Sequence, residues 1–325
     1  MLPPILMQTI QRSSAIRFPM LGGLTIDPPA FFTVFGRNIY FYGVFIALGF
    51  ICGTLYCAAN SRRFGIKSDD IYDFILWLIP ISIIGARIYY VIFRFDYYSQ
   101  NPAEIIAVWE GGLAIYGGII AGIITAWLLA RHKKIPLPAL LDIVIYGLLI
   151  GQILGRWGNF MNREAFGAET DIFCRMGLIA PDGTTLYVHP TFLYESLWNL
   201  VGLVLLIFFE RTGKRKYDGQ CVLLYFLWYG VGRAWIEGLR TDSLYIGSSS
   251  IRVSQALSIA LALISLTVLL IQSRRKHTAE SLYVNRIAAA AGEAQAEEAT
   301  DETDAAPAES AAEAAPARAA EQTET

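Results

Sequence analysis

The sequence predicts an all-α, polytopic membrane protein of about seven transmembrane helices, with the N-terminus outside and the C-terminus in the cytoplasm. Three observations carry this. Of its 325 residues, 54% are hydrophobic and 17% charged, with a mean hydropathy of +0.44, too apolar for a water-soluble domain. Continuous apolar windows of roughly 20 residues, the length that crosses the hydrocarbon core, recur along the chain. Lysine and arginine alternate between the connecting loops, and this asymmetry orients a membrane protein. The formal net charge of −2 says little beside that distribution, and no nucleic-acid partner is expected; the lipid bilayer is the first partner.

Residues 1–29, with Pro3, Pro4, Arg12, Arg17, Pro28 and Pro29, lack the sustained apolar core of a cleaved signal peptide. They are expected to form an extracytoplasmic segment, the first helix serving as the insertion signal. The apolar windows fall at 38–59, 71–93, 112–130, 137–155, 190–209, 219–237 and 252–272, which places a seven-helix membrane domain over 30–276. Runs such as Ile143-Val144-Ile145-Tyr146-Gly147-Leu148 are continuous rather than alternating, which excludes a transmembrane β-barrel. Arg62, Arg63 and Lys67 follow the first helix, Arg131, Lys133 and Lys134 the third, Arg211, Lys214, Arg215 and Lys216 the fifth, and Arg274, Arg275 and Lys276 the seventh. These loops are assigned to the cytoplasm, with Arg12 and Arg17 weighing weakly against it. Cys52, Cys57, Cys174 and Cys221 show neither a disulfide framework nor metal-ligand spacing and read as packing residues, so no metal and no cofactor is expected. Residues 277–325, rich in Ala, Glu, Thr and Pro, are expected to be a disordered acidic cytoplasmic tail.

With this topology, the polar residues in or beside the helices collect on the outer side. The fourth helix ends in Gly155-Arg156-Trp157-Gly158-Asn159-Phe160-Met161-Asn162-Arg163-Glu164. Arg156, Asn159 and Arg163 fall at i, i+3 and i+7, one face of a continuing helix. Cations and amides at that depth carry a desolvation cost, so the block reads as a site for a charged group lying at the bilayer surface. A snorkelling belt would account for Arg and Trp but not for two Asn and a Glu. The sixth helix ends with Arg233, Glu237 and Arg240 at i, i+4 and i+7. They form either an exposed intrahelical ion pair or the second half of a phosphate clamp, since the guanidinium fork matches phosphate oxygens. The second helix brings Arg87 to the same side. The third opens on Trp109-Glu110-Gly111-Gly112, whose backbone N–H groups can receive an anion, although the glycines serve equally for close packing. His189, before Pro190, is the one outer histidine and reads either as a cap or as a base.

These motifs resemble those of the prolipoprotein diacylglyceryl transferases. Gly155-Arg-Trp-Gly-Asn-Phe-Met-Asn162 with Glu164 and Gly167 carries the resemblance, joined in order by Tyr42-Gly43, Gly85-Ala86-Arg87, Trp109 to Gly118, His189 to Glu195, and Gly232-Arg233 with Glu237 and Arg240. It covers about residues 30 to 272. The resemblance implies transfer of the sn-1,2-diacylglyceryl group of phosphatidylglycerol to the lipobox cysteine thiol of a prolipoprotein signal peptide, with release of glycerol 1-phosphate. It implies that Arg156 and Arg233 contact the phosphate or glycerol headgroup, that Asn159 and Tyr42 position lipid or peptide, and that Glu164 and Glu237 orient the arginines. Arg87, Arg240, Asn162, Gly111, Gly112 and His189 would complete the substrate contacts, and Gly167 would set backbone shape. The sequence departs from the family at Tyr116, where many members carry a histidine assigned as the base. A tyrosine, with an ordinary pKa near 10, is a poor base at neutral pH. Tyr116 is therefore read as a hydrogen-bonding group that positions substrate, and the base stays open among His189, Glu164, Glu237 and water. An anion transporter would place its polar residues near the midplane with internal repeats, and a phosphatase would need a His or Asp nucleophile in a paired arrangement; neither pattern is visible.

Overall fold

The computed structural model describes residues 15–241, 245 and 251–304. In chain order its long helices are α1 (Phe41–Asn60), α2 (Ser68–Phe93), α3 (Ile115–His132), α4 (Leu137–Asn162), α5 (Thr191–Arg211), α6 (Gln220–Leu239), α7 (Val253–Ser273) and α8 (Tyr283–Asp304). Among the described residues, α1 to α5 and α7 are the six helices long and apolar enough to cross a membrane. The expected sixth span, α6, has 20 residues and packs among the others but falls outside that set. Gln220, Arg233, Glu237 and a high share of Gly, Tyr and Trp lower its hydropathy; the helix that fails the apolar test is one that carries site residues.

Small residues decide which helices meet. On α1 and α4, Gly49 and Gly53 face Gly151 and Gly147, so the two backbones touch: a Cβ on Gly53 would lie 2.7 Å from the Gly147 carbonyl oxygen. Without a hydrophobic drive between helices in lipid, such close approach is what holds them. Gly85 on α2 and Gly117 on α3 do the same, a Cβ on Gly117 falling 2.4 Å from the Gly85 carbonyl. The α2–α3 pair lies against α1, while α5, α6 and α7 follow one another on the far side of α4. The buried core clusters around Tyr146, Leu140, Ile143 and Leu149 of α4, with Phe64, Cys221 and Tyr225. All four cysteines are free.

One end of the bundle, where α4 stops and α5 starts, is closed by a structure the sequence patterns did not predict. Strands β1 (Ala15–Phe18), β2 (Leu24–Ile26), β5 (Met176–Ile179) and β6 (Thr185–Val188) form an antiparallel sheet in the order β2-β1-β5-β6. A separate hairpin, β3 (Phe31–Val34) and β4 (Arg37–Tyr40), leads into α1. Strands of three or four residues are too short to show alternation. Ile16, Leu178, Val188 and Met176 bury one face of the sheet on Phe160, Phe166 and Phe192.

The opposite end carries the basic loops. Lys133 bridges Asp70 and Asp73 at 2.6 Å each, and the hydrogen bonds to Asp70 and then Asp73 hold its ammonium above the ordinary lysine range. Asp142 of α4 accepts backbone N–H groups of Gly219 and Val222 at 2.8 and 2.9 Å and so caps α6 from another helix. The segment expected to begin a disordered tail packs here. Tyr217 stacks on His277, the Tyr283 amide donates to Asp218, Arg286 pairs with Asp218 at 3.1 Å, and Val284 lies on Gly65. Residues 305–325 lie outside the described residues.

Candidate active site

The fourth helix stops at Asn162, because Arg163 (φ 56°) and Ala165 (φ 56°) both take left-handed backbone. Non-glycine residues in that region cost on the order of 1 kcal/mol each and mark functional turns. The stripe expected over Arg156, Asn159 and Arg163 is therefore cut short. Arg163 turns away to pair with Asp27 and to donate to the Pro28 carbonyl at 2.8 Å, which ties the N-terminal segment to the end of α4.

What remains of the stripe meets two other helices at a residue that spacing along α4 or α6 does not single out. Glu195, on the first turns of α5 and 4% exposed, is the centre of the cluster. Arg156 pairs with its Oε2. Arg233 places Nη1 2.9 Å from both carboxylate oxygens, and Arg240 brings Nη1 to 3.4 Å from Oε1. Glu237 braces the same arginines from below, 2.7 Å from Arg233 Nη2 and 4.0 Å from Arg240 Nε. Arg240 reaches the cluster although α6 ends at Leu239. Three guanidiniums and two carboxylates in direct contact leave one net positive charge, held where water is scarce. A carboxylate inside an apolar helix is itself a signal of function, and the run Phe192-Leu193-Tyr194-Glu195-Ser196-Leu197 carries it.

The asparagines form the next layer. Arg156 Nη1 donates to Asn159 Oδ1 at 3.2 Å, Asn159 Nδ2 donates to Glu164 Oε1 at 2.9 Å, and Asn162 reaches the same oxygen at 3.4 Å. Glu164 therefore orients Arg156 through Asn159 and not by direct contact. Tyr42 lies on Gly158, where a Cβ would come 2.9 Å from its ring, so the Arg-Trp-Gly-Asn run admits the start of α1 to this corner. Trp157 donates to Ser196 at 3.2 Å and packs on Phe160 and Phe192, joining α4 to α5.

Gly167 and His189 support the cluster from the loop side. Gly167 bridges to Arg240, donates its N–H to the His189 carbonyl at 2.9 Å, and has no room for a Cβ, which would fall 2.6 Å from the His189 Cβ. Ala168 donates to the Leu239 carbonyl at 2.7 Å. The loop after the signature helix thus stitches the end of α6 to the start of α5. His189 Nδ1 faces the Tyr194 hydroxyl at 3.4 Å, and burial lowers the pKa of its imidazole.

Three expected substrate contacts are placed elsewhere. Arg87 is buried and its guanidinium is spent on four backbone carbonyls: Ile105 at 2.8 Å, Glu104 at 2.6 Å, Gly111 at 2.7 Å and Gly112 at 3.0 Å. It anchors the loop before α3. Gly111 and Gly112 precede that helix, both at positive φ, and offer carbonyls to Arg87, where the sequence left N–H groups toward an anion and close packing equally open. A Cβ on Gly112 would sit 2.5 Å from Arg87 Nη1. Tyr116, on the first turn of α3, is more than half exposed, and no hydrogen bond of its hydroxyl is found among the described residues. Among the described residues no cluster of three or more His, Cys, Asp or Glu has the arrangement to hold a metal ion.

The likeness to known proteins spans these residues. The family model described as prolipoprotein diacylglyceryl transferase matches residues 29–271. A protein of Limosilactobacillus reuteri named phosphatidylglycerol--prolipoprotein diacylglyceryl transferase is 44% identical over 260 residues, 77% of this chain and 92% of its own length. Relatives of the same name from Lactobacillus delbrueckii subsp. bulgaricus (44% over 262 residues, 78% and 93%) and Bacillus cereus (43% over 245 residues, 73% and 88%) match in the same way. The match runs from the hairpin before α1 through α7 and takes in every member of the Glu195 cluster, so this chain belongs to the prolipoprotein diacylglyceryl transferase family.

Proposed function

We propose that this protein transfers the sn-1,2-diacylglyceryl group of phosphatidylglycerol to the thiol of the lipobox cysteine in prolipoprotein signal peptides, the first step of bacterial lipoprotein maturation. It acts at the extracytoplasmic face of the cytoplasmic membrane. The observation that carries the chemistry is the convergence of Arg156, Arg233 and Arg240 on Glu195 at one end of a membrane bundle.

The cysteine sulfur attacks the glycerol carbon that bears the phosphate, the new S–C bond forms, and the C–O bond to phosphate breaks with its electrons staying on oxygen. Glycerol 1-phosphate leaves, and the thiol proton passes to water or to the departing phosphate. A phosphodiester carries one negative charge, which matches the one net positive charge of the cluster. The leaving group gains charge as the C–O bond breaks, and preorganised guanidiniums stabilise that gain more than they stabilise the intact lipid. The same positive field favours the thiolate over the thiol. Asn159, Asn162 and Glu164 hold Arg156 in register, and Glu237 does so for Arg233. Tyr116 and Tyr42 position substrate from α3 and α1, and Arg87, Gly111 and Gly112 shape the loop between α2 and α3.

The test is purified protein in phosphatidylglycerol vesicles with a lipobox peptide, the product followed by mass. Wild type adds one diacylglyceryl group to the peptide thiol, and Arg156→Ala, Arg233→Ala and Asn159→Ala each lose on the order of 100-fold or more in rate. Absence of transfer by the wild type sinks the reading, and full activity in all three variants reduces the cluster to a belt.

A further inference from the structure

Between α5 and α6, beside the Glu195 cluster, lie two cavities. The first is small, about 10 Å³, with room for one water-sized group, and is lined by Glu195, Trp198, Asn199, Tyr229 and Arg233. The second is a groove of about 330 Å³, walled by Leu205, Leu206 and Phe209 of α5 and Leu224, Leu227 and Val231 of α6, with almost no polar surface. Trp198 belongs to both, so they form one seam. Leu205 and Val231 are about half exposed, and the groove opens sideways toward the lipid.

Two features show that the seam is built. Trp198 and Trp228 stack with centroids 4.3 Å apart and each donates its indole N–H to the other's backbone carbonyl, at 3.0 and 2.9 Å. Each ring occupies space that a glycine leaves open, Gly232 under Trp198 and Gly202 under Trp228. The second feature is Asn199. It is 3% exposed, it lines the small cavity, and no hydrogen bond to its side-chain amide is found among the described residues. The amide borders the small cavity, where a ligand oxygen can give it the partner that the protein does not.

From Glu195 to Phe209 the polarity falls in order: charged, amide, then hydrocarbon only. At ~1.5 Å per residue this stretch of α5 runs roughly 21 Å, enough to cross one leaflet of a bilayer whose hydrocarbon core is about 30 Å thick. We propose that the α5–α6 seam binds one acyl chain of the lipid donor, with the Asn199 amide donating to that chain's ester carbonyl and the hydrocarbon lying in the groove below Trp198. An apolar groove gains nothing over bulk lipid for a bare chain, so the amide is what fixes the chain's depth and places the headgroup at the arginines. This assignment rests on the reading that the substrate is a phosphatidylglycerol.

Two measurements test it. Phosphatidylglycerol with a mid-chain diazirine is photolysed with the purified protein in nanodiscs and the adducts are mapped by mass. The expected adducts lie on peptides 198–209 and 224–231, are competed by unlabelled diacyl phosphatidylglycerol, and fall several-fold in Leu205→Trp, while Leu263→Trp on the lipid face of α7 leaves them unchanged. Adducts spread evenly over α2, α5 and α7 without competition overturn the subsite. The second measurement compares diester with diether phosphatidylglycerol as donors for peptide lipidation. Wild type prefers the diester by up to about tenfold in KM with similar kcat, as one hydrogen bond allows. Asn199→Leu abolishes the preference. A preference that survives Asn199→Leu, or is absent in the wild type, removes Asn199 from the subsite. The photolysis reads binding without turnover, so a failure of the transferase reading leaves that result interpretable.

Discussion

Glu195 sets the spacing of three guanidiniums, and the charge it carries is worth more to its neighbours than to itself. Bringing ions out of water costs several kcal/mol per ion unless each is paired, and Arg156, Arg233 and Arg240 share this one partner. Glu195→Gln leaves three like charges held by Glu237 and Asn159 alone. The expected result is a loss of about 3–5 kcal/mol in stability and a rate at or below that of Arg156→Ala, measured by thermal unfolding in detergent and by the lipidation assay. An unchanged Tm would show that the carboxylate does not organise the cluster. Arg156, Asn159, Arg233 and Glu237 are legible in the sequence because polar residues in apolar helices stand out. Spacing along one helix, however, reports neighbours on that helix and is blind to partners elsewhere, and Glu195 has its partners on α4, on α6 and just past the end of α6. The same blindness hides the surroundings of Arg87, since nothing in the sequence shows four carbonyls folding back onto it.

At the level of elements, the pairings follow glycines more than apolar faces. Gly53→Val puts a branched side chain where a single Cβ already comes 2.7 Å from the Gly147 carbonyl, and backbone cannot yield as a side chain can. A destabilisation of about 1–3 kcal/mol follows, read as a lowered Tm. Val44→Leu, at an exposed α1 position, leaves the Tm in place. A wild-type Tm for Gly53→Val would mean that α1 and α4 are not held at backbone contact. The spans α1, α2, α3, α5 and α7 are legible to within a few residues because each is a long apolar run, whereas α4 runs on past its apolar window to Asn162 and α8 lies in a stretch expected to be disordered. The sheet is not, because its strands are short and its central pairing is distant: β1 lies before α1, and its partner β5 follows α4. The turn at Arg163 is hidden for a different reason, since nothing in Asn162-Arg163-Glu164 announces left-handed backbone as a glycine would.

At the scale of the whole molecule the two ends do different work, one holding the cluster and the other tying helices together through Asp142, Asp218 and Lys133. The docking of Tyr283, Val284 and Arg286 on this second end separates two truncations. Removing residues 305–325 is expected to leave lipidation and Tm unchanged, whereas removing 277–325 strips the stacking on Tyr217 and the contacts to Asp218 and lowers the Tm by several degrees. Equal effects of the two would show that the docking contributes nothing. The proposed topology, argued from the loop charges, has the cluster facing outside. In intact cells a membrane-impermeant maleimide is expected to label Arg37→Cys in the hairpin before α1 and to reach Lys214→Cys after α5 only once the membrane is permeabilised. The reverse pattern inverts the topology.

The sheet that caps the site end also fixes an order of events. β1 can form its hairpin with β2 at once, but Ile16 pairs with Leu178, and Arg163 with Asp27, so its other edge has no partner until four helices and the loop after them have been made and threaded. Contacts between segments so far apart in the chain form slowly, and during synthesis the N-terminal strand waits as an open edge. The Glu195 cluster cannot gather any sooner, because α5 and α6 are made after α4, and its supporting loop threads between the same segments. Cap and active site therefore mature together, and the chain acquires its charged centre only once the surrounding helices are inserted.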